Sequence, residues 1–150
     1  MAELQAAIRE FHGDPGRIYL TGISMGGAGT WYMARHNRKW AALIPVCGEV
    51  ARRPDDPFPS DPPPDVARIV GSPNPYTTLA AQIGRTPAWA FHGAKEDTVP
   101  VTESRSMVAA LRQTGGNIRY SEYPNGAHDI WDAAYADAAM VHWMFQQKLR

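Results

Sequence analysis

Arg17-Ile18-Tyr19-Leu20-Thr21-Gly22-Ile23-Ser24-Met25-Gly26-Gly27 is the stretch on which the reading of this chain turns. A short β-favouring run, Arg17 to Thr21, stops at Gly22, and a helix-compatible pattern resumes from Ala28 to Arg35. Between them lies a Gly-x-Ser-x-Gly string centred on Ser24. A nucleophile elbow needs this arrangement: the chain turns sharply from strand into helix, Ser24 is held in a strained conformation, and larger residues at the glycine positions would collide. The elbow also puts the backbone N–H of Met25 at a helix start, facing an oxygen that turns negative during acyl transfer. The alternative is a glycine-rich turn that only packs a helix on a sheet. A phosphate cradle is disfavoured, because there is no Gly-Lys-Ser/Thr and the glycines do not fit GxGxxG.

Working outward, Leu4, Ile8 and Phe11 recur at helical spacing ahead of a stop at residues 12–16. Residues 41–46 form a nearly continuous apolar run, as a strand covered on both faces would, although Pro45 limits its ladder. Eight of the thirteen prolines fall between residues 54 and 75, at 54, 57, 59, 62, 63, 64, 73 and 75, so a loop or cap is expected over about 51–75. A short helix is predicted over 76–83, a third strand over 88–92, a helix over 102–113 ending at Gly115-Gly116, and a fourth strand over 118–123. One closing helix is predicted over 132–149, with Ala136, Met140, Trp143 and Met144 sharing a buried stripe. Strands alternating with helices predict a mostly parallel α/β sheet of about four strands flanked by helices, with chemistry at the carboxyl ends of the strands.

The 150 residues fit a single domain over 1–150, able to hide about 70% of the unfolded surface. Fifteen Lys and Arg balance fifteen Asp and Glu, and no basic stripe is present, which disfavours nucleic acid. With 44% hydrophobic residues but no apolar stretch of spanning length, a membrane partner is not expected. Met1 to Gln5 has neither the cationic leader nor the apolar segment of a secretory signal, and with the lone Cys47 this leans towards a cytoplasmic location. One cysteine and five scattered histidines form no ligand spacing, so neither metal nor cofactor is expected.

A serine hydroxyl needs a base, and the base needs an acid to orient it. Asp97 follows the third predicted strand and His128 follows the fourth, in the order Ser, acid, His. Glu96 could be the acid instead, but a loop that turns one side chain inward tends to turn its neighbour outward, and Asp97 is preferred. For His128 the alternative is a loop histidine hydrogen-bonded for structure. His92 reads as structural, and His12, His36 and His142 as solvated. Ile23, beside the nucleophile, and Trp131, behind His128, are candidate pocket walls; for Trp131 a core role is as well supported. Cys47 has no evident activating partner and reads as a small buried filler.

Four blocks, 17–27, 45–48 (Pro-Val-Cys-Gly), 90–100 and 123–131, resemble the α/β-hydrolase esterases grouped with phospholipase/carboxylesterases and prolyl-oligopeptidase-like peptidases. The resemblance implies a truncated or minimal α/β-hydrolase fold, Ser24 as nucleophile, Asp97 as acid and His128 as base, and a small-molecule carboxylic ester as substrate. A peptidase or feruloyl-type esterase is the alternative on the same triad, and an inactive binding module the alternative of another class. Members usually carry further strands ahead of the opening helix, with an HG-containing loop that gives the second oxyanion donor, and no such block is present here. The first strand, with Ile18 and Leu20, would then be a sheet edge, and homo-oligomer formation through it is expected. Sedimentation at low concentration should show a dimer or larger species, and a monodisperse monomer would remove this expectation.

Overall fold

The computed structural model describes residues 2–35, 39–51 and 62–149. Four parallel strands form one sheet in the order β1-β2-β3-β4: β1 (Tyr19–Ile23), β2 (Ala42–Val46), β3 (Ala88–Gly93) and β4 (Ile118–Tyr123). The helices are α1 (Ala2–Glu10), α2 (Met25–Ala34), α3 (Pro64–Val70), α4 (Pro75–Ile83), α5 (Val101–Gln113), α6 (Trp131–Tyr135) and α7 (Ala138–Gln146). Because all strands run the same way, the loops carrying Ser24, Cys47, Glu96 and His128 leave the sheet at the carboxyl ends of its strands.

All five residues of β2 are buried, and their alternation feeds two cores. Leu43 packs with Trp31, Leu79, Met107 and Leu111 on one face, while Ala42, Ile44 and Val46 pack with Phe91, Ile130 and Trp143 on the other. Pro45 has the predicted effect. Leu43 N–H donates to Pro87 and Cys47 N–H to Phe91, so the missing N–H of Pro45 would face β3, and the β2–β3 register holds at Leu43↔Ala88 and Val46↔Phe91 on either side of it.

Among the described residues β1 pairs with β2 alone. Ser24 N–H donates to Val46 and the Ile18 carbonyl accepts from Ala41, so alternate residues Tyr19, Thr21 and Ile23 turn their backbone groups away from β2.

Several boundaries differ from the sequence reading. The first strand lies two residues later than predicted, over Tyr19–Ile23, and α2 starts at Met25 because the elbow turns directly into helix. Phe11 lies beyond α1 and is 75% exposed, so it does not join Leu4 against the core. Residues 62–75 are not all loop. Pro64 and Pro75 stand at the first positions of α3 and α4, where the absent N–H has no helical acceptor to lose and the fixed φ suits a helix. Pro54, Pro57, Pro59 and His36 lie outside the described residues. The closing helix is two: the chain breaks at 136–137, and the Asp137 carboxylate caps α7 by accepting from Ala139 and Met140 N–H. Met140 and Trp143 are buried as predicted, whereas Ala136 is exposed and Ala134 is the buried residue of α6.

Glu103 on α5 is buried and accepts from Val50 N–H (2.8 Å), Ala51 N–H (3.0 Å) and Tyr76 Oη (2.7 Å), tying the loop after β2 to α4 and α5. No helix among the described residues is long and apolar enough to cross a membrane. Leu43 is fully buried at the centre of the sheet, so Leu43→Ala should cost about 2–5 kcal/mol of unfolding free energy in urea titration. Met33→Ala, at a position 47% exposed, should stay within about 0.5 kcal/mol.

Candidate active site

The elbow predicted at Ser24 is present. Ser24 has φ 55° and ψ −117°, a left-handed conformation for a non-glycine residue, and it stands as the N-cap of α2. Two backbone bonds hold it there: its N–H donates to Val46 (2.9 Å) and its carbonyl accepts from Ala28 N–H (3.0 Å). A Cβ on Gly22 would lie 2.2 Å from the carbonyl oxygen of Gly26 and 2.4 Å from its carbon, so only glycine lets the helix fold back this closely on the strand. Met25 exposes its side chain, and as the first helical residue its N–H has no acceptor within α2.

The carboxylate that meets His128 is that of Glu96, not Asp97. Glu96 Oε2 lies 2.7 Å from His128 Nδ1, while Glu96 Oε1 accepts from the N–H groups of Thr98 (2.8 Å) and Val99 (3.1 Å). The Glu96 side chain is fully buried and that of His128 is 25% exposed, so the carboxylate is sealed and the imidazole is partly open. Burial pushes the Glu96 carboxyl up, but the His128 ring and the two N–H donors outweigh it and leave the pKa below the ordinary carboxylate range. Asp97 is exposed, with Oδ1 accepting from Thr98 Oγ1 at 3.3 Å. Of the two adjacent carboxylates Glu96 turns inward and Asp97 outward, whereas the sequence reading prefers Asp97. The Glu96 carboxylate folds forward onto the N–H groups two and three residues on, a local side-chain-to-backbone bond of the kind acidic residues make in turns.

The loops after β3 and β4 are stitched together. Lys95 N–H donates to Gly126 (2.8 Å) and Ala94 N–H to Tyr123 (2.9 Å). A Cβ on Gly93 would lie 2.2 Å from the Ala127 carbonyl oxygen, so glycine there allows the His128 loop to cross the end of β3. Cys47 links the two remaining loops. Its residue neighbour Val46 accepts from Ser24 N–H, and its own Sγ donates to the His128 carbonyl at 3.7 Å. Ser24 Oγ makes no capping bond, and among the described residues no hydrogen bond joins it to His128, whose recorded ring partner is Glu96.

Trp131 stands edge-on to His128, with ring centroids 6.1 Å apart, and both it and Ile23 pack on the core that holds Val46 and Phe91. Cys47 is buried, and burial, with the Glu96 charge nearby, pushes its thiol up to about 12 despite a backbone hydrogen bond at Gly93. It stays a protonated filler, as expected. His92 is buried as well, and His12 and His142 are exposed. Cys47, His92 and Glu96 bring their ligand-type atoms within 4.8 Å of one another, but those of His92 and Glu96 are already committed to hydrogen bonds and the Cys47 thiol is protonated. A cleft of about 870 Å³ lies at the opposite end of the sheet, beside Trp40, Pro87 and Asn117, and none of Ser24, Glu96 or His128 lines it.

Gly22→Ala should disturb the elbow through its clash with Gly26. The expected cost is about 1–3 kcal/mol of stability, read in urea titration. Gly29→Ala, where a Cβ meets nothing within 4 Å, should be tolerated.

The sequence matches the prolyl oligopeptidase family over residues 1–148. Among solved structures, a thermostable esterase is 30% identical with a TM-score of 0.69, covering 97% of this chain and 36% of that one. The acylaminoacyl peptidase of Pyrococcus horikoshii is 19% identical with a TM-score of 0.74, covering 96% and 26%, and esterase PE8 is 20% identical with a TM-score of 0.64, covering 95% and 57%. A curated relative, the non-reducing polyketide synthase Preu3 of Preussia isomera, is 29% identical over 85 residues, which is 54% of this chain and 3% of the synthase. The chain thus spans about a third of the esterase and a few per cent of that synthase. With four parallel strands flanked by helices, an elbow at the end of β1 and a match along nearly its whole length, the chain belongs to the prolyl oligopeptidase family of the α/β-hydrolases.

Proposed function

We propose that the chain works as a serine hydrolase on small carboxylic esters, with Ser24 as nucleophile, His128 as general base and Glu96 as the orienting acid. The observation that carries this reading is the 2.7 Å bond between buried Glu96 and His128 Nδ1, on loops that leave the same end of the parallel sheet as the strained turn at Ser24. With Nδ1 committed to Glu96, the other ring nitrogen, Nε2, is the one left to serve the serine.

In the first half-reaction His128 Nε2 takes the Ser24 proton as Oγ bonds to the acyl carbon. The carbonyl oxygen becomes an oxyanion, to which Met25 N–H donates. Collapse breaks the bond to the alkoxide, which leaves as the alcohol with the proton from His128. Water then attacks the acyl-enzyme, gives its proton to Nε2, and Ser24 departs with that proton as the carboxylic acid is released. Glu96 stays ionised throughout and stabilises the imidazolium. Ile23 and Trp131, packed on the same core, are the proposed pocket walls. Loss of one oxyanion donor elsewhere costs about a hundred- to thousandfold in rate, which sets the scale of the proposed contribution of Met25 N–H.

Family membership favours a second reading on the same triad, hydrolysis of peptide amides, and parallel assays on acetyl, feruloyl and peptidyl substrates separate the two. Ser24→Ala should abolish both labelling by a fluorophosphonate and ester turnover. Glu96→Gln should lower kcat by up to about 10⁴-fold, because the ring loses its tautomer and its counter-charge. Asp97→Asn should leave kcat within about twofold. The reverse order for Glu96 and Asp97 would return the acid to Asp97, and folded protein that takes no label would support a binding module instead.

A further inference from the structure

We propose that His92 is a positioning residue for the Glu96–His128 pair, holding the acid loop closed through Val99 while Ser104 holds the His92 ring. The proposal rests on the triad reading above.

His92 is the penultimate residue of β3 and is fully buried, yet both ring nitrogens are used. Nε2 lies 2.8 Å from the Val99 carbonyl oxygen and Nδ1 lies 2.7 Å from Ser104 Oγ. A carbonyl can only accept, so Nε2 carries the hydrogen. Burial holds the ring below its ordinary pKa, against the raising effects of Val99 and Glu96, so it is neutral and Nδ1 accepts from the Ser104 hydroxyl. Ser104, on α5, is itself buried.

Val99 is the link. Its carbonyl is held by His92, and its N–H is one of the two donors that hold Glu96 Oε1. The loop from 94 to 99 is therefore fixed at its start by the bonds of Ala94 and Lys95 to the His128 loop, and at its end by His92. With Oε1 occupied on its own turn, Glu96 turns Oε2 to His128. The Nε2 atom of His92 also lies 3.8 Å from Oε2, so its N–H dipole favours the ionised carboxylate. An apolar residue of similar size could fill the space at His92, but it would leave the Val99 carbonyl and the Ser104 hydroxyl unpartnered in the core.

The test measures kcat and KM on a chromogenic acetate ester for His92→Leu, His92→Gln and Ser104→Ala, each alone and combined with Glu96→Gln. His92→Leu should lower kcat about ten- to a hundredfold with little change in KM, as loss of an outer hydrogen-bond partner does elsewhere. His92→Gln keeps an N–H for Val99 and should recover most of that loss. In the Glu96→Gln background, His92→Leu should add no more than about twofold, since it acts through the missing carboxylate. The same fold loss in both backgrounds, or an unchanged kcat in His92→Leu, would overturn the proposal. A second readout needs no turnover: the low-field proton resonance of the Glu96–His128 bond should be present in the wild type and lost or broadened in His92→Leu. If Glu96→Gln leaves kcat intact, the triad reading fails, and the resonance still decides whether His92 positions the pair. Ser104→Ala, a smaller change, carries both readouts if His92→Leu does not fold.

Discussion

The Glu96 carboxylate is the point on which the site's geometry depends. One oxygen is tied to the N–H groups of Thr98 and Val99 and the other to His128, in a position without solvent. A buried charge is tolerated only when its acceptor sites are filled, and here they are filled by groups that also shape the loop. The arrangement is therefore both a charge compensated in the core and a clamp on the imidazole. Its partner His128 is more open, with part of its ring reaching solvent.

Around this clamp, the parallel sheet brings distant stretches together. Val46 receives Ser24 N–H, Cys47 reaches the His128 carbonyl, and the loops after β3 and β4 are cross-linked by Ala94 and Lys95. Glycines set the closest approaches. Gly22 lets α2 return against β1, and Gly93 lets the His128 loop pass over β3, where a side chain would meet backbone oxygen at 2.2 Å in both cases. The left-handed turns of Ser24 and Cys47 at the ends of neighbouring strands each cost about 1–3 kcal/mol, and the buried, fully packed β2 between the two cores supplies the rigidity to hold them.

Much of the fold was legible because its signals are local. Sequence pattern marks β4 to the residue and β3 and α5 to within one, and glycine spacing between a strand and a helix marks the elbow at Ser24. The errors have physical causes. Prolines signal loop by composition, but at the first turn of α3 and α4 they favour helix. The final helix was read as continuous because its apolar spacing is, whereas Asp137 offers a cap that restarts it.

Chain order, the α/β class, the parallel sheet and the residue types of a Ser, acid, His set were determined by the sequence alone, since periodicity, turn chemistry and motif spacing depend on neighbours in the chain. Which of two adjacent carboxylates faces His128 was decided only in three dimensions. Glu96 and Asp97 have nearly the same local propensities, and the partner that Glu96 meets, His128, comes beside it only once β3 and β4 have paired and the Tyr123 and Gly126 carbonyls accept from Ala94 and Lys95 N–H.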